Sequence, residues 1–145
     1  MDQGNEQVES APQSAQIESK PMNMAATLAI CSGGWLVPGL AHILIGRWVR
    51  GLIFAACIFL MFGLGLAMHG KLYDLDFDQG LLPLFAFVAN VGTGIPYWIA
   101  EHLDLGVGTM SWPSYDYGTT YLWVCGLLNY LIVLDAFDIA QGRKP

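Results

Sequence analysis

The sequence predicts an all-α protein, a polytopic membrane helical bundle of about four transmembrane helices whose first two are joined by a tight Pro-Gly hairpin. Three observations carry this expectation. Hydrophobic residues make up 54% of the 145-residue chain and charged residues only 12%, against roughly 45–50% and ~25% in soluble domains. The apolar residues collect in runs without a formal charge at 24–46, 51–68, 81–100 and 119–134, the kind of run that crosses lipid as a helix. The stretch WLVPGLAHILIGRWVRG, residues 35–51, breaks the first run with Pro38-Gly39 and closes with Arg47 and Arg50.

Residues 1–20 are acidic and rich in Gln and Ser, so they bury too little apolar area to offset the cost of ordering and are expected to be a disordered tail. A cleaved secretory leader would begin with basic residues followed by an apolar core. Here the acidic start argues for a first apolar segment retained as an anchor. Leu28–Cys31 superficially resembles a lipidation box, but Ile30 stands where a small residue is wanted. The membrane domain is expected at 21–140, with spans at about 21–37, 47–68, 81–100 and 119–140, followed by a basic C-terminal tail at 141–145. Pro21 suits a first helical turn, where its missing N–H has no partner to lose. At ~1.5 Å per residue the first span reaches ~26 Å, just short of a ~30 Å hydrocarbon core.

Pro38 disfavours helical geometry at Val37, and Gly39 can take the left-handed conformation that reverses a chain. Residues 38–46 are thus a turn or a short re-entrant connector, and neighbouring helices must satisfy their backbone polar groups. On the second span, Gly51-x-x-x-Ala55 and Gly63-x-x-x-Ala67 offer close helix approach, either inside the bundle or to a second copy. In the third, Asn90, Thr93, Gly94, Tyr97 and Glu101 fall on one side of a helical wheel, and Pro96 should kink that helix by orphaning the Gly92 carbonyl. The bland reading of this stripe is hydrogen bonding between helices; the sharper one is a polar path. The fourth span carries Asn129 near its middle and Asp135 and Asp138 near its end. A membrane aspartate usually pairs or reaches the interface, so Asp138 is expected at the headgroups and Asp135 opposite Arg47 or Arg50.

Other groups read as structural. Cys31, Cys57 and Cys125 stand singly in apolar runs, as small hydrophobes. Asp74, Asp76 and Asp78 imitate the start of a calcium loop, but Gln79 replaces the required Gly and Phe85 the closing Glu. Glu101, His102 and Asp104 make a titratable turn without the second histidine a metal would ask for. No cofactor, metal or catalytic residue is expected, and the protein is not expected to be an enzyme. Six scattered Lys and Arg in a chain of net charge −6 argue against a nucleic-acid partner. By the positive-inside rule, Lys20, Lys71, Arg143 and Lys144 outnumber Arg47 and Arg50, which would place both termini in the cytoplasm; the tight Arg47/Arg50 pair argues the other way.

PGLAHILIGRWVRG resembles the hairpin signature of small membrane proteins related to the TM-two domain. Pro38, Gly39, His42, Gly46, Arg47 and Gly51 match it, while Ala41, Leu44 and Ile45 depart from its Gly, Phe and Tyr. The whole layout, including LDAFDIAQGRK near the end, resembles a small uncharacterised bacterial multi-pass family. The resemblance implies an integral membrane protein of the bacterial inner membrane with tightly packed helices and no assigned reaction. In that reading His42 either caps the broken helix by donating to freed carbonyls or serves as a proton or ligand site. The leading functional expectation is a scaffold or protein-interaction component embedded in the lipid bilayer, as a homo-oligomer or with another membrane protein. The alternative is an oligomeric transport component for a small solute or ion.

Overall fold

The computed structural model describes residues 22–75 and 80–143. The tail at 1–20, Pro21, Asp76, Asp78 and Lys144 lie outside the described residues. Those described form six helices: α1 (Met24–Leu36), α2 (Leu40–Leu44), α3 (Trp48–Ala67), α4 (Leu81–Val91), α5 (Ile95–His102) and α6 (Tyr115–Ala140). Among them there is no extended strand, and an isolated antiparallel bridge joins Lys71 to Val107.

Two helices, α3 and α6, are long and apolar enough to cross a membrane, and α4 with α5 is a third candidate if the bent pair counts as one span. That is fewer crossings than the four expected. The 13 residues of α1 reach only ~20 Å. The helix begins at Met24 rather than Pro21 because the Asn23 side chain accepts from the Ala25 N–H at 3.3 Å and caps it there. It ends where Val37 turns extended, at φ −119° and ψ 109°, the geometry forced on a residue before proline.

The helix α6 packs against α1, α2, α3 and α4, so positions along it serve as a ruler. Gly65 of α3 lies against Gly118 and Leu122, and Gly70 against Gly118 and Thr119, whereas the residues just before α3 reach Asp135 through His42. The helices α3 and α6 therefore run antiparallel. Along the same ruler, the Met22 N–H donates to the Ala140 carbonyl at 3.1 Å, while Trp35 lies beside Asn129. So α1 enters at the C-terminal end of α6 and stops half-way. Gly39, at φ +82°, then turns the chain so that Ala41 of α2 lies against Gly34 of α1. This hairpin re-emerges at the end it entered.

A second reversal replaces the kink expected at Pro96. Between α4 and α5 the chain changes direction by 111°, at Gly94 with φ +76° and ψ −134°. Past a right angle, α5 heads back instead of onward. Its far end is delivered to the start of the 69–75 loop, where the Leu72 N–H donates to the Gly106 carbonyl at 2.8 Å. Gly94 itself sits directly against the carbonyls of Trp35 and Leu36. The two breaks, entering from different elements, meet beside the middle of α6.

The small residues of α3 divide in the same way. Gly51 is buried against the Gly39 carbonyl and Ile43, while Gly63 has open space around it. A core of Ile58, Phe62, Leu122, Cys125 and Ile132 fills the seam between α3 and α6, joined by Tyr97 and Ala100 of α5.

Candidate functional site

Each break leaves a carbonyl without a helical partner. Trp35 loses its partner because α1 stops one residue later, and Gly92 because the residue four positions on is Pro96, which has no N–H. Both carbonyls accept from one group: Asn129 Nδ2 donates to Trp35 O at 3.1 Å and to Gly92 O at 2.9 Å. A carboxamide has two N–H donors, and the two breaks use both. Asn129 is fully buried. Its neighbours on α6 complete the closure. Gly126 lets the Ala89 carbonyl approach to a distance that no side chain would allow, Cys125 Sγ lies 3.7 Å from Thr93 Oγ1, and the Tyr130 hydroxyl donates to Val88 O at 3.0 Å. Among the described residues, neither polar atom of the buried Asn90 side chain has a partner, nor does Asn129 Oδ1.

Towards the C-terminal end of α6 lies a second polar contact. His42 Nε2 is 3.2 Å from Asp135 Oδ2, with the histidine side chain fully buried and the aspartate 32% exposed. The Phe54 ring meets the imidazole edge-to-face at 5.0 Å between centroids. The hairpin thus does supply Asp135 with a partner in His42. The histidine does not cap freed carbonyls, because its ring is turned to the carboxylate and Asn129 already occupies the breaks. Arg47 stands at the N-cap of α3, and Arg50 is exposed in its first turn. Pro38 and Gly46 shape the turns on either side of α2, Gly46 at φ +89°. At the end of α6, Asp138 and Arg143 pair at 3.7 Å with both side chains substantially exposed, as an interfacial aspartate would.

The polar stripe expected through Asn90, Thr93, Tyr97 and Glu101 does not exist as one surface, because the reversal at Gly94 puts its members on two helices. Asn90 and Thr93 are buried at the breaks. Tyr97 donates instead to the Tyr73 carbonyl at 3.2 Å. Glu101 is exposed and, with Lys71, Asp74 and Asp104, lines a polar pocket of about 450 Å³ at the opposite end of the bundle from His42. There the loops after α3 and α5 are stapled together: His69 stacks on Trp112 at 4.3 Å, and Ser114 donates to the Met68 carbonyl at 3.1 Å. Burial, and then the adjacent Tyr115, push the Tyr73 phenol above its ordinary range. Among the described residues no three His, Cys, Asp or Glu side chains stand close enough to hold a metal.

The mid-helix position of Asn129 is legible in the sequence, but its pair of hydrogen bonds is not. The available signal was the Gly92 carbonyl orphaned by Pro96, which demands a donor from another helix. Residues 29–145 match a family of unknown function, DUF6677. No curated protein and no solved structure matches the chain.

Proposed function

The chain belongs to the DUF6677 family of unknown function, and from its geometry we propose that it is a small integral membrane scaffold of the plasma membrane. In this reading α3 and α6 cross the bilayer, while α1–α2 and α4–α5 dip into it from opposite faces and return. Non-helical backbone is tolerated at such depth only where protein satisfies it, and Asn129 lies between the two breaks to do so. The single observation that carries the scaffold reading is where the intramembrane polar groups go. Asn129, Thr93 and Tyr130 are engaged in closing the helix breaks, and His42 with Asp135 ties α2 to α6. Meanwhile Leu52, Phe59, Leu60, Leu127, Leu131 and Leu134 present apolar surface outward. Such a molecule meets lipid, a second copy or another membrane protein.

This reading also bears on orientation. Arg47, Arg50 and Arg143 share one end of the bundle, and Lys71 sits at the other with Asp74, Glu101 and Asp104. By the positive-inside rule that asymmetry supports the end with Met22 and Arg143 on the cytoplasmic side and the stapled loops on the other. In a bacterium this would be the inner membrane.

The test is to express His42→Ala and Asn129→Leu and measure membrane abundance and cross-linked complexes alongside solute flux in liposomes. The scaffold reading expects less protein and less complex, with wild-type flux at background. A flux that vanishes in Asp135→Asn while the protein stays folded would overturn it. A second reading has its own observation. Paired half-helices whose broken ends meet at mid-depth, with the buried Asn90 unpartnered beside them, are parts that transporters place around a substrate or ion. A flux abolished by Asn90→Leu would favour it.

A further inference from the structure

A groove of about 350 Å³ runs along the side of the bundle, lined by Val37 and Pro38 of the first break, by Phe59, Phe62 and Leu66 of α3, and by α5. Every side chain lining it is apolar. It follows α3 from Phe59 to Leu66, ~10 Å of helix, from the depth of the breaks to the loop end. There it meets the polar pocket: Leu105 lines both, and Ala100 of the groove precedes Glu101 of the pocket. An apolar slot that ends at a charged one has the shape of an amphiphile.

We propose that this groove holds one acyl chain of a phospholipid with an amine-bearing, zwitterionic headgroup, seated in the loop-side leaflet. A peptide or a second helix would bring backbone or polar groups that this lining cannot hydrogen-bond, whereas an acyl chain asks for none. The headgroup chemistry follows from the pocket. Lys71, whose ammonium lies over the Tyr73 ring at 5.0 Å, offers a cation for the phosphate. Asp74, Glu101 and Asp104 offer carboxylates for an ammonium group. An anionic glycerol headgroup would bring negative charge among three carboxylates with one lysine to answer it.

This inference rests on the membrane reading, and the test separates the two. Full-length protein is first challenged with alkaline carbonate; release from the membrane would sink the membrane reading itself. Retained protein is reconstituted in vesicles of phosphatidylethanolamine and phosphatidylglycerol in equal parts, extracted gently, and weighed by native mass spectrometry. The expected result is one phosphatidylethanolamine per chain, enriched about fivefold or more over phosphatidylglycerol. Ile99→Trp, at a half-exposed site on the groove wall, should abolish retention by filling the slot. The double variant Glu101→Gln with Asp104→Asn changes only exposed rim residues and should cut the preference about fivefold. Equal retention of both lipids, retention unchanged by Ile99→Trp in folded protein, a preference indifferent to the rim variant, or a second copy in the groove would each overturn the proposal.

Discussion

In the first half of the chain a 13-residue helix breaks at Val37-Pro38-Gly39, returns through five residues and gives way to a 20-residue helix. In the second, an 11-residue helix breaks at Gly92-Thr93-Gly94, returns through eight and gives way to a 26-residue helix. Because α3 and α6 are antiparallel, the two units share a plan and are inverted with respect to each other. They differ in how they are closed. The second break is sealed by its own long helix, through Gly126, Asn129 and Tyr130. The first packs on its own helix through Gly51, Ala55 and Phe54 but takes its polar closure, Asn129 and Asp135, from the other half. An inverted pair need not share its burdens equally, and here α6 carries the closure of both.

The sharpest way to break this comparison is to remove the shared donor. Asn129→Leu leaves the Trp35 and Gly92 carbonyls without their donor and should destabilise the fold by about 2–4 kcal/mol. Unfolding in mixed micelles measures the loss, and hydrogen exchange locates it. Protection should fall at both breaks together. If only one break opens, the claim that α6 serves both halves is wrong.

Damage confined to the first hairpin should be smaller and one-sided. Gly39 combines φ +82° with a position against the Gly51 carbonyl and Ala55, so Gly39→Ala meets both backbone strain and a clash and should cost about 2–3 kcal/mol. Gly46 has a similar φ of +89° with nothing around it, so Gly46→Ala should cost only about 1 kcal/mol. Micelle unfolding of the two variants separates strain from packing. Exchange around Gly92 and Gly94 should stay as in the wild type for either.

How much of this was legible in the sequence follows from the range of each signal. Pro38-Gly39 and Gly92, Gly94 and Pro96 announce their breaks locally, because proline and glycine act on their own backbone. That a break is a reversal rather than a kink depends on what lies across it, and the Trp35 and Leu36 carbonyls against Gly94 come from far along the chain. The same distance hid His42 from Asp135, 93 residues apart. The wheel through Asn90, Thr93, Tyr97 and Glu101 failed for a related reason: helical periodicity holds only while the helix continues.

The His42–Asp135 contact marks the next smaller effect. His42→Ala removes the hydrogen bond between α2 and α6, and Asp135, 32% exposed, stays accessible to solvent. The cost should be about 1–2 kcal/mol, with Asp135→Asn milder because an amide can still meet the imidazole. A thermal shift in detergent orders the two variants. The reverse order would mean that the carboxylate has a further role that the amide cannot fill.

The smallest effect on the single chain is expected at Gly63, and its smallness makes it useful. On one helix, Gly51 and Gly63 have the same spacing to an alanine, yet Gly51 is filled by Gly39 and Ile43 while Gly63 faces open space. Within one molecule Gly63→Ala should therefore change stability by less than about 0.5–1 kcal/mol, and in the stabilising direction, since alanine is the better helix former. A second copy packed on the Gly63/Ala67 face would reverse that sign, because small residues there allow close backbone approach. Bulkier Gly63→Leu would then shift the population measured by cross-linking from dimer to monomer without altering α6. A dimer that survives Gly63→Leu intact would place the scaffold's self-contact on another face, and would leave Gly51 the sole small residue of the two with a packing role.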